Sequence, residues 1–224
     1  MALLSPAPTP RRGFLQRLAA AGTAALAAGG WPRALAAAPA GSAAPLSDDA
    51  WLNRIRGKYR QVFDCVEPNG GFGAAYALNF IDSTKDTLKL VDGDIAAVVV
   101  FRHLSMPLTL NDGIWAKYKV GEIIHVNDPA TGAPATRNVF RDNIAMRPGL
   151  TYEDMIARRG VVVVACNLAL TVFSGIAGKQ VGIPADQAKQ EWTAGLLPGV
   201  ALAPSGVYAV NRAQEKGCTY CYGG

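Results

Sequence analysis

A cysteine placed directly after a run of valines is the residue of this chain best suited to nucleophilic chemistry. Gly160 precedes Val161, Val162, Val163 and Val164, and Ala165 then leads to Cys166. A continuous β-branched run bounded by glycine predicts a strand buried on both faces, as in parallel sheets held between helices. Beyond the cysteine, Leu168, Val172 and Ile176 recur at helical spacing, and Ala169 and Phe173 widen that stripe into the core-facing side of a helix. Cys166 is therefore expected at the carboxyl end of a strand and close to a helix N-terminus. Open α/β sheets place ligands there, and partial positive charge favours a thiolate. The competing reading is inert packing, because free cysteine is among the most buried residue types.

Two other residues are expected on the same sheet edge. Cys65 ends a stretch centred on Val62 and Phe63, and His103 follows the apolar run through Val98, Val99, Val100 and Phe101. A parallel sheet would bring Cys65, His103 and Cys166 to one side. Sulfur transfer needs a thiolate that accepts a sulfane sulfur and releases it to a second thiol, and a nearby imidazolium or helix N-terminus lowers a thiol pKa. In that chemistry Cys166 is the acceptor, His103 a charge partner and Cys65 a resolving thiol. The rival uses are a backbone-capping role for His103 and a Cys65–Cys166 disulfide.

Cys218 and Cys221 form a C-x-x-C pair that enters an expected strand instead of opening a helix. An offset of three in a strand sends the side chains to opposite faces, which disfavours a local redox pair. Two ligands also fall short of the roughly four of a structural zinc site, so no metal is expected unless subunits share one. Asn69, Gly70, Gly71, Phe72 and Gly73 could cradle a phosphate. They lack both the dinucleotide-binding spacing and the P-loop lysine, so they read as a turn, and no cofactor is expected. A flavin or nucleotide bound to a flavodoxin-like sheet is the third reading, after sulfur chemistry and simple binding.

The elements that must position these residues alternate along the chain. A strand near Val62 and Phe63 precedes a helix carrying Ala74, Leu78 and Ile81, and a second strand at residues 95–101 precedes a helix started by Pro107 that buries Leu110, Ile114 and Tyr118. Residues 121–150 lose periodicity among Pro129, Gly132, Pro134, Pro148 and Gly149, and read as an insertion with little regular structure. Thr151 caps a short helix before the valine strand. Pro184 opens a helix through Trp192, and a short strand follows at residues 200–203. Ser205 caps a helix with Val207, Val210 and Ala213 on one side, Gly217 ends it, and the tail forms an edge strand. This alternation predicts an α/β fold: a single three-layer domain whose mostly parallel sheet of about five strands is flanked by helices.

The first 38 residues belong to a different problem. Arg11, Arg12, Gly13, Phe14 and Leu15 stand before an alanine-rich, mildly apolar segment, and small residues at 34–38 fit a signal peptidase. This is the pattern of a twin-arginine export signal, so a periplasmic destination is expected. The apolar run falls short of the roughly 20 residues that span a bilayer, so no membrane span is expected after cleavage. Residues 39–57 read as linker and lead-in, and 58–224 as the domain. The leader holds only Arg11, Arg12, Arg17 and Arg33 as charged residues, so its removal takes the formal charge from +5 to +1. No cluster of basic residues with interleaved aromatics remains, which argues against a nucleic-acid partner.

In its later half the sequence resembles DsrE/DsrF-like proteins. The resemblance is carried by the valine strand with Cys166, the run Leu196, Leu197, Pro198, Gly199, Val200, the helix start Pro204, Ser205, Gly206, Val207, and the stretch Gln214, Glu215, Lys216, Gly217. Residues 95–110 look like that family's second strand and helix. The resemblance implies a small α/β domain that assembles as a homo-oligomer, a trimer or hexamer, and in sulfur-relay members a cysteine matching Cys166 that carries a persulfide. A sulfur donor or acceptor protein is then the implied partner. The alternative is a non-catalytic oligomeric binding module of the same fold. The export signal, the 121–150 insertion and the Cys218/Cys221 tail depart from the family pattern.

Overall fold

The computed structural model describes residues 49–224. The expected leader at 1–38 and the first part of the linker lie outside the described residues.

Five strands form one sheet in which every pairing is parallel: β1 (Tyr59–Cys65), β2 (Ile95–Phe101), β3 (Val162–Cys166), β4 (Ala201–Ala203) and β5 (Thr219–Tyr222), in the spatial order β4-β3-β2-β1-β5. Parallel neighbours need crossovers, and helices supply them. They are α1 (Phe72–Leu88), α2 (Asp112–Tyr118), α3 (Val120–Ile123), α4 (Tyr152–Arg158), α5 (Asn167–Val181), α6 (Ala185–Ala194) and α7 (Gly206–Glu215). The expected α/β sheet of five strands between helices is the observed one.

Alternation along the strands splits the core in two. Phe63, Val99, Phe101, Val163 and Ala165 point to the face covered by α1, α5 and α6. Val62, Val98, Val100, Val162 and Val164 point to the other, which α7 covers with Ala209 and Ala213 beside Trp51 and Leu52. Both faces of β2 and β3 are buried, which is why those strands read as unbroken apolar runs.

Three local expectations need correction. The stripe of Leu168, Val172 and Ile176 does not face the core: these residues are exposed, and α5 buries Ala169, Leu170, Ser174, Ala177 and Gly178 instead. The physical reason is close packing. Gly178 meets Ile183 and Ala188 so tightly that a Cβ would lie 2.9 Å from the Ala188 Cβ, and only the small-residue side of α5 fits there. Likewise α7 buries Gly206, Ala209 and Ala213 and turns Val207 outward. Pro107 does not open an α-helix: it lies inside a 3-10 segment (His103–Thr109), and α2 starts five residues later behind the Asn111 cap, whose side chain accepts from the Ile114 N–H at 3.1 Å.

Beyond the end of α3, residues 121–150 carry little regular structure, as expected, yet they are firmly docked. Ala135 and Ile144 are buried in the main core. The buried Asn138 donates through Nδ2 to the carbonyls of Leu108 and Leu110, each at 2.8 Å, satisfying backbone groups that no sheet or helix reaches.

Candidate functional site

At its carboxyl end β2 runs into the 3-10 segment and β3 into α5, and a cavity of about 310 Å³ lies at these two strand ends. Arg102 and His103 line it from the end of β2, Cys166 from the end of β3, and Ser205 and Gly206 from the start of α7. The walls are otherwise apolar, formed by Leu168, Val172, Phe173 and Val207. Leu168 and Val172 of α5 and Val207 of α7, exposed on their helices, thus line this cavity.

Cys166 is the N-cap of α5, and its Sγ accepts the Ala169 N–H at 3.3 Å. The thiol therefore occupies the place that a serine or aspartate oxygen takes at a helix start, at the positive end of the dipole of a 15-residue helix. Its residue is only 5 % exposed, so reagents reach it through the cavity.

Arg102 is held from behind. Its Nε and Nη2 donate to the two carboxylate oxygens of Asp64 at 2.6 and 3.0 Å, and the Tyr220 hydroxyl donates to Asp64 Oδ2 at 3.1 Å. Asp64 is buried, so this bidentate pairing supplies what a carboxylate in a core requires. The hydrogen bond that Arg102 donates to Asp64 raises the guanidinium pKa still further, with a smaller contribution from Cys166. Gly206 makes room for the arginine stem, since a Cβ there would lie 2.4 Å from Arg102 Cβ. Ser205 caps α7 by accepting the Tyr208 N–H at 3.2 Å.

His103 reaches the same cavity. It adopts a left-handed backbone conformation (φ 52°), its Nδ1 stands 3.3 Å from Glu67 Oε1, and its ring meets Phe173 edge-on at 6.0 Å. The corner that holds Arg102 and His103 is pinned by Ser105, whose hydroxyl donates to the Cys65 carbonyl at 2.6 Å and whose N–H donates to the Val66 carbonyl at 3.0 Å.

Cys65 is not brought to the cavity. Register sets it level with Phe101 and Ala165, two strands from β3, a lateral distance of about 10 Å. That exceeds the roughly 7 Å Cα separation a disulfide can bridge. Its thiol is packed between α1 and the tail, where Cβ atoms on Gly73 and Gly223 would fall 2.3 and 2.8 Å from Sγ. Burial, then the neighbouring Asp64 and Cys221, push its pKa far above the ordinary thiol range. All four cysteines are free. Cys218 packs under α7 while Cys221 packs against the opposite core, the two-face separation expected of that spacing. Among the described residues no group of three His, Cys, Asp or Glu side chains is arranged to hold a metal ion, and no helix is long and apolar enough to cross a membrane.

Arg102 and Asp64 belong to the site although neither sits in a recognisable sequence motif. The available signal was Asp64 itself: a carboxylate between Phe63 and Cys65 inside an apolar strand demands a cationic partner.

No family model matches the chain, and no curated protein matches it. A solved structure of a protein of unknown function from Methanobacterium thermoautotrophicum is similar at 17% sequence identity and a TM-score of 0.37, covering 73% of this chain and 98% of that one.

Proposed function

We propose that this protein carries sulfane sulfur on Cys166, acting as an exported DsrE-like sulfur-transfer or persulfide protein. The observation that supports this most is the Cys166 thiol capping α5 inside a cavity that also holds the Arg102 guanidinium. The helix N-terminus and the guanidinium both put positive charge beside the attacking sulfur. In the reaction, the Cys166 thiolate attacks the terminal sulfur of a donor persulfide. A new S–S bond forms at Cys166, the donor S–S bond breaks, and the donor leaves as a thiolate. An acceptor thiolate then repeats the step on the Cys166 persulfide, so no external oxidant or reductant is consumed. His103, which lines the same cavity, is assigned as a charge partner there. Cys65 is too deeply packed to resolve the persulfide, so the second thiol comes from an acceptor.

Purified protein incubated with a persulfide donor should gain one sulfur on the peptide containing Cys166, read by intact mass and peptide mapping. An adduct of the same level in Cys166→Ser overturns the proposal. Export rests on the paired Arg11 and Arg12 with the apolar segment after them. A fusion whose periplasmic delivery survives Arg11→Lys/Arg12→Lys would reject the twin-arginine route.

The outward stripe of Leu168, Val172 and Ile176 favours assembly as a homo-oligomer, in keeping with the trimer or hexamer that the resemblance implies. Sedimentation equilibrium tests this directly, and a monomer at micromolar concentration rejects it. The low exposure of Cys166 favours a second reading, a non-catalytic oligomeric binding module of the same fold. A Cys166 that resists alkylation in the native state selects the module.

A further inference from the structure

We infer that the cavity selects a small organic anion, with Arg102 as the specificity-determining residue. It rests on Cys166 being the sulfur-carrying thiol, and it names the donor class: a sulfane-sulfur compound with an apolar body and one anionic group, of which an organic thiosulfonate is the simplest example. Three features of the cavity converge on this chemistry.

The first is the orientation of the guanidinium. Asp64 takes Nε and Nη2, while Nη1 is engaged by no carboxylate among the described residues, and Arg102 lines the cavity that contains Cys166. A planar guanidinium fixed on one edge presents its remaining N–H groups in a set direction, so little side-chain entropy is lost when an anion pairs with them. The second is volume. A cavity of about 150 Å³ already accepts a benzene ring, and this one measures about 310 Å³. The third is the wall: Leu168, Val172, Phe173 and Val207 offer an apolar surface, with no carboxylate among the described residues that line the cavity. Glu67 pairs with His103 Nδ1 and is not among the residues that line the cavity.

The sulfur step balances with this donor. The Cys166 thiolate attacks the terminal sulfur of R–SO2–S⁻, the new bond is Cys166 S–S⁻, and the bond between the two donor sulfurs breaks with its electron pair leaving on R–SO2⁻. The departing sulfinate keeps the negative charge beside Arg102, so the cation serves binding and departure alike.

Two paired measurements test the inference. Native protein is alkylated with iodoacetate and with iodoacetamide, and the rate at Cys166 is read by peptide mass. The iodoacetate-to-iodoacetamide ratio, normalised to glutathione, is expected to fall about three- to fivefold in Arg102→Gln, the scale of one solvent-accessible charge pair. It should also collapse in 1 M salt. Because Arg102→Gln alone strands Asp64, the same measurement on Asp64→Asn/Arg102→Gln keeps the test valid if the single variant does not fold. A ratio unchanged in the double variant overturns the inference while leaving the thiol reactive. In parallel, benzenethiosulfonate is expected to load Cys166 faster than inorganic thiosulfate. Equal or slower loading rejects the apolar half of the donor class. Alkylation that depends on Arg102 without sulfur loading from either donor would reject the sulfur reading and keep the anion site, and a Cys166 unreactive to every reagent overturns both.

Discussion

Asp64 grips Arg102 through both carboxylate oxygens, at 2.6 and 3.0 Å, across the β1–β2 boundary, and so decides where the guanidinium that lines the cavity points. Removing one partner leaves the other charge unsatisfied, which costs more than the pair itself contributes. Arg102→Ala is therefore expected to destabilise the fold by about 2–3 kcal/mol, below the range of a fully buried pair because the arginine is partly exposed. Asp64→Asn/Arg102→Gln should recover most of that loss, as urea denaturation of the singles and the double would show. Equal destabilisation in single and double variants would mean that the pair is not coupled.

Cys166 doubles as a helix cap, which makes its substitutions separable. Serine caps as well as or better than cysteine, so Cys166→Ser should stay within about 1 kcal/mol of the parent while losing all thiol chemistry. Cys166→Ala, which leaves the Ala169 N–H without its acceptor, should lose about 1 kcal/mol. Thermal or chemical melts of the two variants check the order, and an alanine variant more stable than the serine one would contradict the capping role.

Gly73 and Cys65 occupy one space. A Cβ on residue 73 would fall 2.3 Å from Cys65 Sγ, so Gly73→Ala should cost about 1–3 kcal/mol by overpacking. Cys65→Ala in the same chain removes the opposing sulfur and should return part of it. The double-mutant cycle reads a favourable coupling, and simple additivity would show that the backbone shifts instead.

Two thiols should respond to pH in a way that isolates them from the cavity. Burial pushes the Cys218 pKa up to about 11, with Arg60 opposing the rise, and pushes Cys65 higher still. A raised folded pKa means that the native state holds the proton more tightly than the unfolded chain. The stability from the neutral Cys218 thiol is complete below the unfolded value near 9 and is lost as pH rises towards 11, while that from Cys65 is lost over a window that extends to higher pH. At pH 8 only roughly one Cys218 in a thousand is ionised, so neither residue should be alkylated in the native state. Differential alkylation at pH 8 and pH 10 measures this, and rapid native labelling of Cys65 at pH 8 would contradict its packing.

The five-stranded α/β sheet was legible because its strands write their burial directly. Val98 to Val100 and Val161 to Val164 are apolar without alternation, and only a strand covered on both faces tolerates that. The caps at Thr151 and Ser205 were equally local, since the acceptor oxygen and the N–H it meets lie three residues apart. Cys166 at the junction of β3 and α5 follows from the same local grammar.

The outward turn of Leu168, Val172 and Ile176 was not legible, because helical spacing shows that a stripe exists and says nothing about which stripe the neighbours can approach. The tight contact at Gly178 chose the small-residue side. Register alone carried Cys65 away from Cys166, although both end strands, by setting Cys65 level with Ala165 two strands over. Arg102 and Asp64 are 38 residues apart, and no sequence period links them. The sequence by itself determined a buried parallel sheet with a cysteine at a strand-to-helix corner, since those depend on neighbours along the chain. Only the tertiary structure decided that an arginine held by a buried carboxylate would face that cysteine across an apolar cavity, because that meeting depends on strand order, register and the packing of α7 on the sheet.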